Sequence, residues 1–331
     1  MNDQTPAIAR TPQDFTAPGE VRFCPGCGDH GILKALRQML AETGAAPSDT
    51  VFISGIGCAA RMVYYLETYG FHTIHGRAAA VATGVKLANP ALDVWIVGGD
   101  GDALAIGGNH LIHLMRRDTD CQYVLINNAI YGLTKGQASP TTTQGTRTAT
   151  TPAGAAEPPM NAARLALGAG ARFVARSGDV MTPHLVATLA RARAHRGAAL
   201  VEVFQNCKVF ADGAFDAFMP KPVQAEAQIR LEHGKPMTFG AGDRRGLRLV
   251  PGRLALEAVD IGAGGPGPDI LTHDETDAVL AFLLAGMTGP DLPVAMGVLY
   301  ADPAPQPAPA PHPAPPRFDT LVRKAQTWTV P

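Results

Sequence analysis

Cys24 and Cys27 form a C-x-x-C pair inside the tight turn RFCPGCGDHG at residues 22 to 31. Such a pair can hold zinc, exchange thiol for disulfide, or supply half the ligands of an iron–sulfur cluster. Three further cysteines, Cys58, Cys121 and Cys207, complete an odd and sparse set that does not suit a secreted disulfide framework. A second stretch with chemical potential is DVWIVGGDGDALAIGGNH, residues 93 to 110, where Asp100 and Asp102 sit in a glycine turn. Carboxylates at such a turn can hold a hard cation, and the glycines let backbone approach phosphate closely. LINNAIYGL (125 to 133) then sets Asn127 and Asn128 at the end of another apolar run, so Asp100 and Asn128 can share a pocket and give oxygen to Mg²⁺.

The elements that must position these residues alternate. Apolar residues on one helical face run from Asp29, read as the cap of that helix, to Gly44, and VFIS (51 to 54) follows as a strand. A small-residue helix follows His75. VWIV (94 to 97) has the continuous apolar character of a strand buried on both faces. A helix at 105 to 117, a strand at 122 to 127, a helix at 161 to 168, a strand at 171 to 175, a helix at 182 to 195 and a strand at 199 to 204 continue the series. The expected fold is therefore α/β, an open and mostly parallel sheet with helices on both faces and ligands at the carboxyl ends of the strands. A helix starting just past the GDGD turn points its amides at a diphosphate. The Thr- and Pro-rich run 135 to 160 is a long loop, of a length that in a compact domain is usually functional or disordered.

The expected organisation is an N-terminal arm (1–20), a cofactor-binding domain (21–212), an irregular C-terminal extension (213–300) carrying a strand–helix signal near 269 to 286, and a Pro-rich tail (301–331). With 46% hydrophobic and 17% charged residues and a formal net charge of -1, there is no electrostatic footprint for nucleic acid or an anionic membrane. No apolar run reaches the length of a membrane span, and the first residues lack the apolar core of a secretory signal, so the cytoplasm is the expected location.

Strand, GDG, helix, strand and NN in this order resemble the thiamine diphosphate motif. FCPGCGDHGILKAL, SGIGCAAR, YGFHTIHGRAAAVATGVKLANP, GGDGDALAIGGNH and NNAIYGLTKGQASPTT together resemble the beta subunit of a 2-oxoacid:ferredoxin oxidoreductase, over residues 22 to about 215 and closest to the 2-oxoglutarate type. The resemblance implies a thiamine diphosphate-binding fold in which Asp100, Asn128 and the Ile130 backbone hold Mg²⁺. It further implies a cofactor wall made of Gly57, Cys58 and His75, the turn Gly99, Asp100, Gly101 and Asp102, and the run Ile130, Tyr131, Gly132, Leu133 and Thr134. It assigns Cys24, Cys27, Cys58 and Cys207 to one [4Fe–4S] cluster; Cys121, at the start of an apolar strand, reads as a buried structural thiol. His75, Lys135 and Arg61 are the implied catalytic residues, the last two facing a substrate carboxylate, with His72 a weaker candidate. Departures occur at Ala59 and Ala60, where the family often carries hydroxyls, and at Lys208 and Ala211 after the fourth cysteine. They touch packing or potential rather than ligation, because the sulfurs remain.

The implied activity is oxidative decarboxylation of a 2-oxoacid, most simply 2-oxoglutarate, to acyl-CoA and CO₂, with single electrons passed to ferredoxin. The chain has one diphosphate-type α/β unit and no second copy, so an alpha subunit must bring the pyrimidine-binding domain and its activating glutamate. Two other readings compete: a non-redox thiamine enzyme of the acetolactate synthase kind, and a non-catalytic subunit whose cysteines hold structural zinc.

Overall fold

The computed structural model describes residues 9–262, 264–287, 291–302 and 304. A 3₁₀ turn (Pro12–Phe15) opens the described chain and buries Phe15 completely. In chain order there follow α1 (Asp29–Glu42), β1 (Thr50–Ser54), β2 (Tyr69–His72), α2 (Ala78–Ala88), β3 (Asp93–Gly99), α3 (Gly108–Arg116), β4 (Cys121–Asn127), α4 (Ala162–Gly168), β5 (Phe173–Gly178), α5 (Thr182–Ala194) and β6 (Ala198–Phe204). Beyond them come α6 (Lys221–Ala227), β7 (Gln228–Arg230), β8 (Thr238–Phe239), β9 (Arg245–Leu249), β10 (Leu256–Asp260), α7 (Ala278–Ala285) and β11 (Val294–Ala301).

Eight strands form one sheet in the order β2-β1-β3-β4-β6-β5-β11-β7, and β10-β9-β8 form a small antiparallel sheet. From β2 to β5 all pairings are parallel; β11 runs antiparallel to β5 and parallel to β7. The expected α/β architecture with a mostly parallel sheet is present. Residues 213–300 are less irregular than expected: β7 and β11 extend the main sheet. The signal near 269 to 286 resolves into α7 alone, because residues 271–277 make turns and a single bridge between Thr272 and Pro236. The Pro-rich tail lies outside the described residues, Ala304 excepted.

Period-two side-chain alternation divides the interior into two cores. Val51, Ile53, Val94, Ile96, Tyr123 and Leu125 face a layer with α2, α3, α4 and α7. Phe52, Trp95, Val97, Val124, Val201 and Val203 face α1 and α5 on the other side. Both sheet faces are thus covered, which leaves the strand ends for chemistry. The chain leaves β1 for the edge strand β2 and returns to β3 on the other side of β1, a reversal of strand order that opens a crevice at the carboxyl edge. Among the described residues no helix is long and apolar enough to cross a membrane.

Candidate active site

The four thiols of Cys24, Cys27, Cys58 and Cys207 come from three connections at the carboxyl edge and line one cavity of about 330 Å³. Cys24 and Cys27 lie in the turn before α1, closed by the Cys27 amide donating to Cys24 O at 3.0 Å, with Gly26 at φ +77. Cys58 follows β1 and starts a 3₁₀ turn (Ala59–Tyr64), and Cys207 follows β6. Gly132 borders the same space: a Cβ there would stand 3.5 Å from Cys207 Sγ and 3.6 Å from Cys58 Sγ, so any longer side chain would fill the gap between the sulfurs. No group of three or more His, Cys, Asp or Glu side chains among the described residues is gathered tightly enough for a single metal ion. Cys121 is fully buried in the core beneath the sheet, away from this cavity.

Two polar groups support the thiols: Asp29, which the sequence marked only as a helix cap, and Gln205, which it did not single out. Asp29 is the first residue of α1 rather than its cap, because Gly28 occupies the cap position. Its carboxyl is almost fully buried beside Cys27, and burial, with the Asp179 carboxylate adding to it, raises its pKa to about 7. Burial first and Asp29 second push the Cys27 thiol well up, and the same two causes lift Cys58 to about 11. Neutral thiols in such a place exchange protons for metal when they ligate. Gln205 is buried and donates Nε2–H to Cys27 Sγ at 3.3 Å.

Behind this cavity stands the glycine turn. Gly99 ends β3, and Asp100 is buried under the loop 137–143, whose Ser139 and Thr141 hydroxyls both donate toward its Oδ2. Burial raises the Asp100 pKa, and those two hydrogen bonds oppose the shift. Residues 102–106 form a π-type turn broken at Ala105, so the helix expected from 105 begins instead at Gly108. Gly101 lies against the Tyr131 ring, whose hydroxyl donates to Gly101 O at 3.2 Å. Asn128 is buried and borders the cysteine cavity; its Oδ1 accepts the Ile130 amide at 3.2 Å, and Ile130 is buried too. Between them Ala129 adopts φ +58, a left-handed conformation that costs a non-glycine residue about 1–2 kcal/mol.

Asp102 turns away from Asp100 and fastens the neighbouring loops. Its Oδ1 accepts from the Ile56 amide at 2.9 Å, the Gly76 amide at 2.8 Å and His75 Nδ1 at 2.8 Å. His75 is thus held with its ring partly exposed and 6.3 Å from the Tyr131 ring centre. His72 is not brought to this group: it lies on exposed β2 against the Tyr64 hydroxyl. Gly57, at φ +135, leads from the Ile56 amide into Cys58. Arg61 and Lys135 both line the cysteine cavity; Arg61 Nε donates to the Tyr65 hydroxyl at 3.0 Å, and Lys135 sits at φ +84. Leu133 and Thr134 are exposed at the rim, with the Thr134 hydroxyl turned onto Gln137.

Residues 55–203 match the thiamine pyrophosphate enzyme, C-terminal TPP binding domain family. The 2-oxoglutarate oxidoreductase subunit KorB of Mycobacterium tuberculosis is 48% identical over 85% of this chain and 74% of its own length. The beta subunit of 2-oxoacid:ferredoxin oxidoreductase 1 from Aeropyrum pernix is 45% identical over 57% of this chain and 60% of its own. Among solved structures, the 2-oxoglutarate:ferredoxin oxidoreductase from Magnetococcus marinus with 2-oxoglutarate, coenzyme A and succinyl-CoA bound superposes with a TM-score of 0.72 at 33% identity, over 90% of this chain and 87% of that one. Identity of this order along so much of both chains, on the same fold, makes this chain a member of the beta-subunit family of the 2-oxoacid:ferredoxin oxidoreductases.

Proposed function

We propose that this chain is the catalytic beta subunit of a 2-oxoglutarate:ferredoxin oxidoreductase, converting 2-oxoglutarate and coenzyme A to the acyl-CoA and CO₂ while single electrons leave for ferredoxin. The observation that carries the reading is the four-thiol cavity, which Asn128 and Gly132 also line. Bound thiamine diphosphate would supply the nucleophile and electron sink for decarboxylation, and a [4Fe–4S] cluster one-electron acceptance.

The donor sets suit both groups. Asp100, the Asn128 side chain and the Ile130 carbonyl are hard oxygens of the kind Mg²⁺ takes. Asp100 is desolvated, so a cation there would keep it ionised where burial alone disfavours the charge. Gly57, Cys58, Gly101 and the Ile130 to Thr134 run would line the cofactor's site. Four thiolates with sulfurs spread around a void suit a cluster better than one zinc ion, whose ligands converge within bonding distance of a point. Asp102 holds His75 through Nδ1, which would leave Nε2 to face a reacting group on the cofactor. Lys135 and Arg61, which line the cavity, would attract the substrate carboxylates to the rim.

An alpha subunit would supply the missing activating glutamate. Exposed Tyr64, Tyr69, Phe71 and Ile74 on and beside edge strand β2, with Ile106 against Gly76, form apolar surface of the sort a partner covers. The test is anaerobic co-production with the alpha subunit, iron analysis and electron paramagnetic resonance, followed by ferredoxin reduction driven by 2-oxoglutarate and coenzyme A. About four irons per beta chain, a reducible signal and activity only in the assembled protein are expected. Zinc without iron would point to the scaffold reading, and decarboxylation with neither metal to a non-redox thiamine enzyme. Turnover by the purified single chain would sink the shared-site idea.

A further inference from the structure

Beneath the site, three adjacent parallel strands carry a buried polar chain. Arg176 of β5 and Glu202 of β6 are register partners, each almost without solvent contact, and Arg176 Nε donates to Glu202 Oε2 at 2.8 Å. The other carboxylate oxygen, Oε1, accepts from Asn127 Nδ2, on the last residue of β4, at 2.8 Å. On its far side Arg176 donates to Asn161 Oδ1 at 3.2 Å, and Asn161 both caps α4 and donates to Ala285 O at 2.7 Å.

A buried ion pair contributes little net stability, and well-packed apolar residues often serve as well or better. What it does supply here is orientation. An ionised carboxylate only accepts hydrogen bonds. Asn127 can therefore present only its NH₂ to Glu202, and its Oδ1 must face the opposite way. There Oδ1 accepts the Ala129 amide at 3.2 Å and faces the Thr141 hydroxyl at 2.8 Å. The Ala129 carbonyl accepts from the Thr142 hydroxyl at 2.6 Å. The left-handed residue is thus clamped at its N–H and its C=O, and Asn128 and Ile130 flank it.

We propose that Arg176 and Glu202 are a positioning pair: they fix the rotamer of the Asn127 amide, and through the Ala129 turn they preset Asn128 and the Ile130 carbonyl to receive a magnesium diphosphate. This rests on the Mg²⁺ reading of that turn given above. Neither residue touches the ligand. Their effect is on the geometry of groups that do.

The experiment uses the chain co-produced with its partner subunit and measures thiamine diphosphate binding by calorimetry with and without Mg²⁺, together with the thermal midpoint of the ligand-free protein. Two variants are compared with the parent: Glu202→Gln, whose amide can donate as well as accept, and the double variant Arg176→Met/Glu202→Leu, which replaces the pair by apolar volume. The expected result is a loss of Mg²⁺-dependent affinity of about 10–100-fold in both, the usual effect of removing an outer-shell partner, with a ligand-free midpoint in the double variant near the parent's. Parental affinity in a folded double variant overturns the proposal, since the pair would then be filling space. If that variant does not fold, parental affinity in Glu202→Gln overturns it in the same way. Absence of any Mg²⁺-dependent binding by the parent protein instead overturns the underlying reading of the turn.

Discussion

Replacing Asp102 by alanine removes one acceptor from three donors at once. The carboxylate is 2% exposed, and its Oδ1 receives the Gly76 amide, the Ile56 amide and His75 Nδ1, all within 2.9 Å. A hydrogen bond to a charged group is worth about 1.5–3 kcal/mol. The Gly76 amide is buried and bears that loss in full, whereas Ile56 and the His75 ring are each more than a third exposed and partly regain water. Removing a buried charge whose Oδ2 has no partner returns part of the cost. The net expectation is a loss of about 3 kcal/mol, or a fall of about 1 M in the urea midpoint for a slope near the top of the range for small proteins. Asp102→Asn keeps volume and an acceptor for the two amides but loses the charge assistance, so about half that loss is expected. Urea unfolding followed by circular dichroism on both variants decides it. A loss below about 1 kcal/mol for alanine, or equal losses for the two, would refute the assignment of Asp102 as the fastener of these loops.

Gly55→Ala tests the same hub from the other side: its Cβ would stand 2.2 Å from Asp102 Oδ2, so the β1 turn must shift, and Mg²⁺-dependent cofactor binding should fall at least tenfold in the same calorimetry. Phe52→Ala removes a fully buried ring stacked 5.8 Å from Trp95 and should cost about 3–5 kcal/mol in urea unfolding, with a smaller loss for Phe52→Leu. Acid should bring out His184. Burial, with Arg230 adding to it, lowers its pKa from 6.5 to about 4, so the unfolded chain binds the proton first. Stability is then intact above pH 6.5 and is lost as pH falls toward 4, by up to about 3 kcal/mol. In His184→Gln the same denaturation series should lose that part of its slope between pH 4 and 6.5.

How much could be read in advance depended on whether a residue's neighbours are local. VWIV and QYVLIN announced β3 and β4 because a strand covered on both faces must be apolar throughout. β2 escaped notice: Tyr69-Gly70-Phe71-His72 is four residues long, exposed at every position and interrupted by glycine. β11 was hidden by Gly297 in its middle and by lying far from the strand it pairs with. Asp29 carried the ordinary signature of a helix cap, yet burial beside Cys27 is a property of the fold and leaves no mark in spacing. The cysteines, the GDGD turn and the NN step were legible as motifs, and each lies at the strand-end edge where parallel topology puts it. Glu202 and Arg176 were legible in a different way and were passed over. A charge inside the apolar strand AALVEVF, and another in FVARSG, each demands a buried partner. Their pairing became visible only when β5 and β6 stood side by side.

The order in which this sheet can be assembled follows from its far end. β5 lies between β6 and β11, and Gly297 of β11 is the register partner of Arg176. β5 ends at Gly178 and β11 begins at Val294, so a growing chain can pair β6 with β5 long before anything covers the outer edge of β5. Until then Arg176 sits on an open edge, where water competes for its guanidinium and another chain's strand could add to the sheet. The dry environment of the Arg176–Glu202 pair is therefore completed by a strand made well after β5 and β6. On that timing, the groups proposed to meet the diphosphate acquire their final support after the strands that bear them have already formed.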